Sequence, residues 1–288
     1  MGAQAFRFGT DRWDPTHRFE TSWLLSPWAL FACRALFSLY AFTTLLFNIA
    51  WNCTHLPEGC RGARSSFRYF TVLTFWGIAF YFLFSSLHTF TYARTGTPLL
   101  DRFPRPLQAL HSLLYTTVAV FPLIVTLVYW IILFKGPWFD QVHSAWSNVS
   151  QHLLNSVFAL FELLIPRTDP MPAVHMLWII VVLALYLAVA YVTRATKGFY
   201  TYSFLDPDKQ GGLVAAYVFG IAIGGLLAFG FAWGVVWVRR WVTETKLGRK
   251  GKFSRRDKEA VERGDVAADG SVKVEAAASG SAPTSAEV

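Results

Sequence analysis

Long apolar stretches, separated by short polar segments, dominate the chain up to residue 241. Six windows of about 20 residues are nearly free of charge and match the helix length that crosses a hydrocarbon core of about 30 Å. No alternation typical of a membrane barrel is visible, so each window is expected to be α-helical. The pattern predicts an all-α, polytopic membrane protein, a bundle of about six transmembrane helices. The windows are 28–51, 70–90, 113–134, 146–165, 174–193 and 212–238.

Composition supports this class and divides the chain into three parts. The 288 residues are 54% hydrophobic and 15% charged, outside the usual range of soluble domains. The first part, 1–27, has no apolar run, and the span after it is too long for a signal peptide and should remain as an anchor. A six-helix membrane domain is predicted over 28–241. The last part, 242–288, is basic and then rich in Ala, Ser and Gly, which predicts disorder.

The distribution of Lys and Arg predicts that both termini face the cytoplasm. Of 26 basic residues, 18 fall on the side of the termini and seven on the other side, and Arg34 lies inside a span. We expect a multi-pass protein of the endoplasmic reticulum or the plasma membrane. The net charge of +8 is explained by a basic tail next to anionic lipid, and no nucleic-acid partner is predicted because no recognition module accompanies it.

Three cysteines give limited information about redox chemistry. Cys53 and Cys60 lie in CTHLPEGC on the predicted non-cytoplasmic side, where a disulfide could persist, although the sequence leaves their pairing open. Cys33 lies within the first span and is expected to pack there. Because the chain has no CxxC pair, we expect no metal site of that kind, and no cofactor is predicted.

The fourth window carries polar residues on one helical face. Against lipid, several of these groups would be unpaired at a few kcal/mol each, so the face is expected to point into the bundle or a watered cavity. The alternative is interhelical hydrogen bonding, worth about 0.6–2 kcal/mol per group. The polar face, spaced by three or four residues, consists of Ser144, Asn148, His152, Asn155, Ala159 and Glu162. The remaining surface is formed by Leu153, Val157, Leu160, Phe161 and Leu164.

A threonine at the start of the second window is expected at the same membrane depth as this histidine. The second and fourth windows both begin on the non-cytoplasmic side, which places Thr71 and His152 in the outer part of the bundle. A threonine in a membrane helix usually bonds to its own backbone. Next to a neutral imidazole, however, its hydroxyl can lose a proton as it attacks an acyl carbon.

Four segments between 68 and 241 resemble the androgen-induced membrane hydrolase family. They are RYFTVLTF at 68–75, the FP at 121–122 followed by Tyr129-Trp130-Ile131, WSNVSQHLLNSVFALFEL at 146–163, and GFYTYSFL at 198–205. The resemblance implies a multi-span helical hydrolase of lipid esters such as fatty acid esters of hydroxy fatty acids, with a threonine nucleophile and a histidine.

The family's functional positions map onto this chain with two departures. Thr71 matches the nucleophile, His152 matches the catalytic histidine, and Glu162 matches a family glutamate. Val149 stands where relatives carry a second histidine, and Leu153 stands where they carry a hydroxyl residue. These departures leave the nucleophile and the base in place but affect the expected substrate preference.

The implied reaction is acyl transfer to Thr71 with His152 as general base. Asn148 or Asn155, one turn to either side of the histidine, could orient the imidazole or donate to the oxyanion. Glu162 lies roughly 15 Å further along the helix, too far to join them directly. We expect Glu162 to pair with Arg34 or with a hydroxyl from another span, in a structural role.

Two other classes remain open on sequence grounds. A non-enzymatic lipid transporter or scaffold would use the polar face for ligand passage. A haem-binding electron carrier would need histidines paired across two helices. The available histidines lie near span ends, and none pairs clearly with His152: they are His88, His111, His143 and His175.

The predicted orientation can be tested with sealed microsomes, whose cytoplasmic face points outward. A cysteine introduced by Ser281→Cys in the tail should react at once with a membrane-impermeant maleimide. A cysteine introduced by Ser65→Cys, in the loop on the other side, should react only after detergent opens the vesicles. The reverse order of labelling would invert the topology.

Overall fold

The computed structural model describes residues 13–266, and the regular secondary structure of that part is helical apart from an isolated bridge between Ser22 and Pro166. The prediction of an all-α membrane bundle is confirmed. In chain order the helices are α1 (Pro27–His55), α2 (Cys60–Ser66), α3 (Phe70–Thr95), α4 (Arg105–Leu133), α5 (142–164), α6 (His175–Lys197), a single turn at Pro207–Gln210, α7 (Leu213–Lys246) and α8 (Arg255–Glu262). Short 3₁₀ turns occur at Leu99–Arg102 and Ser203–Leu205.

Five of these helices, α1, α3, α4, α6 and α7, are long and apolar enough to cross a membrane. The fourth predicted span corresponds to α5, which a π turn at Ser150–Leu154 divides into two α-helical pieces. At one end of α5, His143 stacks on Trp51 near the end of α1. At the other end, Trp23 Nε1, before α1, donates to the Leu164 carbonyl at 2.7 Å. The helix α5 therefore runs beside α1 from one end to the other, but among residues 13–266 five helices rather than the predicted six are long and apolar enough to cross a membrane, and α5 is not one of them.

Local residues explain where the helices begin and end. The Ser26 hydroxyl accepts the Ala29 N–H at 3.3 Å, which caps the start of α1 just before Pro27. Helix α3 ends at Gly96, which adopts a left-handed conformation with φ of 78°. Cys53 and Cys60 form a disulfide that joins the end of α1 to α2.

The core consists of aromatic and aliphatic side chains from all six long helices, α1 and α3 to α7. Phe37 of α1 stacks on Phe158 of α5, with ring centroids 4.6 Å apart. Phe82 of α3 contacts both rings edge-on. Such aromatic contacts add about 0.5–1.5 kcal/mol beyond area burial, and in a bilayer direct packing of this kind holds helices together.

A buried ion pair connects α1 to α5. Arg34 donates from Nε and Nη2 to the two oxygens of Glu162, each at 2.8 Å, and the side chains are 1% and 0% exposed. The Tyr81 hydroxyl of α3 donates to Glu162 at 2.9 Å, and Arg34 Nη1 donates to Thr89 and to the Phe19 carbonyl, each at 2.7 Å. The partner expected for Glu162 is therefore the one in the structure, and the network ties three helices together.

The expectation that 242–288 is disordered is wrong for its first part. Helix α7 continues through Lys246, and α8 forms further on. The Ser254 hydroxyl caps α8 by accepting the Asp257 N–H at 3.2 Å, and this buried serine lies against Gly96 at the end of α3. Composition did not indicate this order because a cap and polar docking hold α8, rather than apolar residues. Residues 1–12 and 267–288, with the predictions made for them, lie outside the described part.

Substituting one partner of the buried pair should destabilise the bundle. Glu162→Gln leaves the Arg34 guanidinium buried without a counter-charge, which typically costs about 3–5 kcal/mol. The matched control is Glu259→Gln, because Glu259 pairs with Arg255 at 3.0 Å on the surface of α8, where such pairs contribute at most about 1 kcal/mol. Thermal unfolding in detergent should show a much lower Tm for Glu162→Gln, and equal Tm values would contradict this role.

Candidate active site

Thr71 is the second residue of α3, at the N-terminus of that helix. The Phe70 N–H donates to the Tyr202 hydroxyl at 3.1 Å, and that hydroxyl also interacts with the hydroxyl and the backbone N–H of Thr71. Burial raises the pKa of Tyr202, so its phenol remains protonated and can donate a hydrogen bond. The first turn of α3 thus offers N–H groups and a phenol at the positive end of a helix dipole.

Thr71 lines an apolar cavity of about 240 Å³. The start of α3, the C-terminal end of α4, the middle of α6, the first half of α7 and the loop around Tyr202 surround it. Its walls include Val125, Val128, Leu183 and Phe204, and its few polar groups come from tyrosines and Thr71. A mostly apolar cavity with a small number of polar groups at one place suits a ligand with a long hydrocarbon part.

His152 lies in the π turn of α5, and one hydrogen bond fixes its tautomer. Its Nδ1 is 3.0 Å from the Asn148 carbonyl oxygen. Because a carbonyl can only accept, Nδ1 carries the hydrogen and Nε2 of the neutral ring is left as a proton acceptor. The His152 carbonyl accepts the Trp130 indole N–H at 3.0 Å. A π turn leaves backbone groups available for such contacts and is frequent at functional sites.

Tyr129 of α4 connects the histidine to the cavity. Its ring stacks on the His152 imidazole with centroids 3.6 Å apart and planes at 18°, and the same residue lines the cavity beside Thr71. The Tyr129 hydroxyl donates to Asn148 Oδ1 at 2.8 Å, which holds the ring in place. Within residues 13–266 no hydrogen bond joins Thr71 to His152. Tyr129 therefore lies against His152 and shares the cavity wall with Thr71, whereas His152 itself is not among the residues that line this cavity.

The two asparagines that flank His152 have different surroundings. Asn148 accepts from Tyr129 with its side chain, and its backbone carbonyl orients the imidazole. Asn155 is 2% exposed; its Oδ1 accepts from Thr126 at 3.0 Å and its Nδ2 donates to the Pro122 carbonyl at 3.4 Å. Asn155 thus faces α4 at the proline within that helix, whereas Asn148 belongs to the surroundings of the imidazole.

Tyr129 and Tyr202 are the residues of this site that sequence reasoning did not single out. Both lie in segments that resemble the hydrolase family, Tyr129-Trp130-Ile131 and GFYTYSFL, which is the signal that could have indicated them. Helical periodicity could not do so. Tyr202 lies in a loop, and its contact with Thr71 joins residues far apart in the chain.

The histidines considered for haem lie elsewhere. The rings of His88 and His111 contact each other at 5.0 Å between centroids, His143 bonds to Asn48 at 2.9 Å, and His175 bonds to Thr116 at 2.7 Å. In the described part of the chain no group of three or more His, Cys, Asp or Glu residues is placed to hold a metal ion.

The fold and this cavity define a helical, multi-pass membrane protein with an apolar cavity that has a few hydroxyl groups in its wall. The sequence profile of the family described as FAR-17a/AIG1-like protein matches residues 31–233. The chain therefore belongs to the FAR-17a/AIG1-like family, which confirms the resemblance to the androgen-induced proteins. No curated protein and no solved structure is similar enough to match.

The two asparagines should differ in their effect on stability. Asn155→Leu removes two buried hydrogen bonds, to Thr126 and to the Pro122 carbonyl, each typically worth about 0.5–1.5 kcal/mol, although Ser156 still bonds to both groups. Asn148→Leu, at a half-buried position, should cost less because water can reach its former partners. Thermal unfolding in one detergent should rank Asn155→Leu below Asn148→Leu and the parent, and the opposite order would contradict the assigned surroundings.

Proposed function

We propose that this protein is a membrane-embedded hydrolase of lipid esters, such as fatty acid esters of hydroxy fatty acids, with Thr71 as nucleophile and His152 as general base. The observation that carries the proposal is the position of Thr71: its hydroxyl lies at a helix N-terminus and lines an apolar cavity. A fatty acyl chain fits the chemistry of the walls, and the helix terminus favours the negative charge that develops on an attacked carbonyl.

In the proposed reaction, the Thr71 oxygen bonds to the ester carbonyl carbon while its proton passes to Nε2 of His152. The carbon–oxygen bond to the alcohol then breaks, and the imidazolium returns the proton to the leaving alkoxide. A water molecule attacks the acyl-threonine, again gives its proton to His152, and the fatty acid leaves as the Thr71 hydroxyl is restored. The Tyr202 hydroxyl, which interacts with the Phe70 and Thr71 N–H groups, is the donor proposed for the oxyanion.

Tyr129 has a positional role in this proposal. Because its ring stacks on the imidazole and lines the cavity, His152 reaches the Thr71 hydroxyl only when that ring shifts. Substrate that fills the cavity next to Tyr129 provides the contact that favours such a shift. A missing hydrogen bond between nucleophile and base is common in ligand-free enzymes, since catalytic hydrogen bonds often form fully only in the substrate complex.

The family departure at Leu153 has little influence on the proposed substrate. The Leu153 side chain is 45% exposed and is absent from the cavity wall in the described structure. The substrate preference should therefore depend on the residues around the acyl chain, such as Val128 and Leu183, and on Tyr129. With both termini in the cytoplasm of an endoplasmic-reticulum or plasma-membrane protein, the site opens in the non-cytoplasmic half.

A non-enzymatic lipid carrier or scaffold is the second candidate. The observation in its favour is that Tyr129 lies against His152 and that no hydrogen bond joins the histidine to Thr71 among the described residues. An apolar cavity with a tyrosine and a threonine at its wall can also bind a lipid without reacting.

The proposed pair can be tested by Thr71→Ala, His152→Ala and the double variant. Because a nucleophile and its base act as a unit, all three should show nearly the same residual ester hydrolysis, at least about a hundredfold below the parent. Only proteins with both residues should react with a fluorophosphonate. The matched control is Thr74→Ala, one turn further along α3, where the hydroxyl bonds to the Thr71 carbonyl at 3.0 Å. Its activity should remain close to the parent.

His152→Gln separates catalysis from packing. An amide can replace hydrogen bonds of the imidazole but cannot accept a proton at neutral pH, so hydrolysis should be lost while the Tm changes little. Wild-type hydrolysis in His152→Gln, or full activity in Thr71→Ala, would contradict the hydrolase and favour the carrier or scaffold.

A further inference from the structure

Buried arginines gather at the end of the bundle opposite Thr71, where α1 begins and α5 and α7 end. Arg167 follows α5 and is 2% exposed, and Arg239 in the last turns of α7 is 5% exposed. Arg18, before α1, is 7% exposed and donates to Glu244 of α7 at 2.6 Å and 3.0 Å. Such burial of guanidinium groups is rare unless each is paired and hydrogen-bonded.

Arg167 and Arg239 do not meet that condition. The Nε and Nη1 atoms of both residues are buried and have no hydrogen-bond partner within residues 13–266. Arg239 uses only Nη2, which donates to the Thr168 carbonyl. Arg167 Nη2 lies 3.8 Å from Glu244, and its other nitrogens have no acceptor. Four buried donor atoms therefore lack an acceptor: two belong to Arg167, and two belong to Arg239, which bonds to the carbonyl of the residue that follows Arg167.

The local charge is also unbalanced. Arg240 pairs with Asp169 at 2.6 Å and Arg18 pairs with the same carboxylate at 2.9 Å, in addition to Glu244. Arg167 also lies in ion-pair distance of Glu244, and Arg239 is within electrostatic reach of both carboxylates, so four guanidinium groups share two carboxylates; the more distant Asp14 adds a third acid. Burial, followed by the charge of Arg18, lowers the pKa of Arg167, as expected for a cation with too few acceptors.

A segment of the tail, 247–254, covers this cluster. Gly251 has a φ of 112°, and a Cβ atom at this position would lie 2.9 Å from both Cδ and Nη1 of Arg167. The backbone of the segment thus lies directly on the guanidinium. Arg249 reaches back over the Trp23 ring at 5.7 Å, which holds the segment against the start of α1.

We propose that Arg167 and Arg239 form a binding site for a phosphate group, either free phosphate or a lipid headgroup, which enters when 247–254 lifts. Guanidinium groups present planar pairs of donors that match phosphate oxygens, and a phosphate group would accept from the four donor atoms and offset the excess positive charge. The site lies on the predicted cytoplasmic side, where anionic lipids are found. It is independent of the proposed hydrolase.

The test uses the full chain in detergent, titrated at constant ionic strength with inorganic phosphate or with short-chain phosphatidic acid while the Tm is followed. At least one probe should raise the Tm. In Arg167→Gln and Arg239→Gln the apparent affinity should fall more than about tenfold. The charge-matched control is Arg256→Gln, an exposed arginine of α8, which should bind nearly as well as the parent. Stabilisation by phosphatidic acid alone would identify a lipid headgroup, and by phosphate alone a soluble ligand.

Gly251→Ala tests whether the segment 247–254 blocks the site. This variant keeps both arginines, so it still decides the question if the arginine variants fold poorly. The added methyl would push 247–254 away from Arg167, so the phosphate probe should bind more tightly than in the parent. Gly248→Ala is the control, because a Cβ atom at Gly248 meets nothing within 4 Å. The proposal is overturned if neither probe changes the Tm, if Arg256→Gln loses as much affinity as Arg167→Gln, or if Gly251→Ala binds no better than Gly248→Ala.

Discussion

The position of α5 in this bundle, and with it that of His152, depends on the buried pair between Arg34 and Glu162. Two ionised side chains inside a membrane domain are tolerated only together, with each remaining donor and acceptor satisfied by neighbours such as Tyr81 and Thr89. Because α1, α3 and α5 all contribute, the pair fixes the rotation and height of α5 against its neighbours. His152, ten residues before Glu162, takes its depth in the bundle from that anchor.

Sequence reasoning succeeded where the membrane itself limits the choice. Apolar length predicted the helices, and the need of an intramembrane Glu162 for a partner pointed to Arg34, the basic residue inside a span. It failed for α8, whose formation depends on the Ser254 cap and on docking beside Gly96. It also could not place Tyr129 over His152, because that stack depends on how α4 and α5 rotate, and aromatic residues are common throughout these helices.

The two ends of the bundle offer opposite chemistry. Around Thr71 the polar groups are hydroxyls, an amide and a neutral imidazole in apolar surroundings, which suits an uncharged ester with a long chain. At the other end, Arg167 and its neighbours form a crowded group of charges beneath the tail. A ligand that carries both a hydrocarbon chain and a phosphate would therefore meet its two preferred environments at opposite faces of the membrane.

The π turn at Ser150–Leu154 gives α5 one more residue per turn than a regular helix would have there. Buried contacts fix the half of α5 that carries Asn155 and Glu162. The half that carries Asn148 lies on the other side of the π turn and is bonded to Tyr129. Because a π turn holds about one residue more than an α turn, loss of one residue there would restore regular α winding and change the direction of the imidazole, while the Arg34–Glu162 ion pair stays where it is. The direction of the His152 side chain can thus change without any change in the ion pair that holds the helices together.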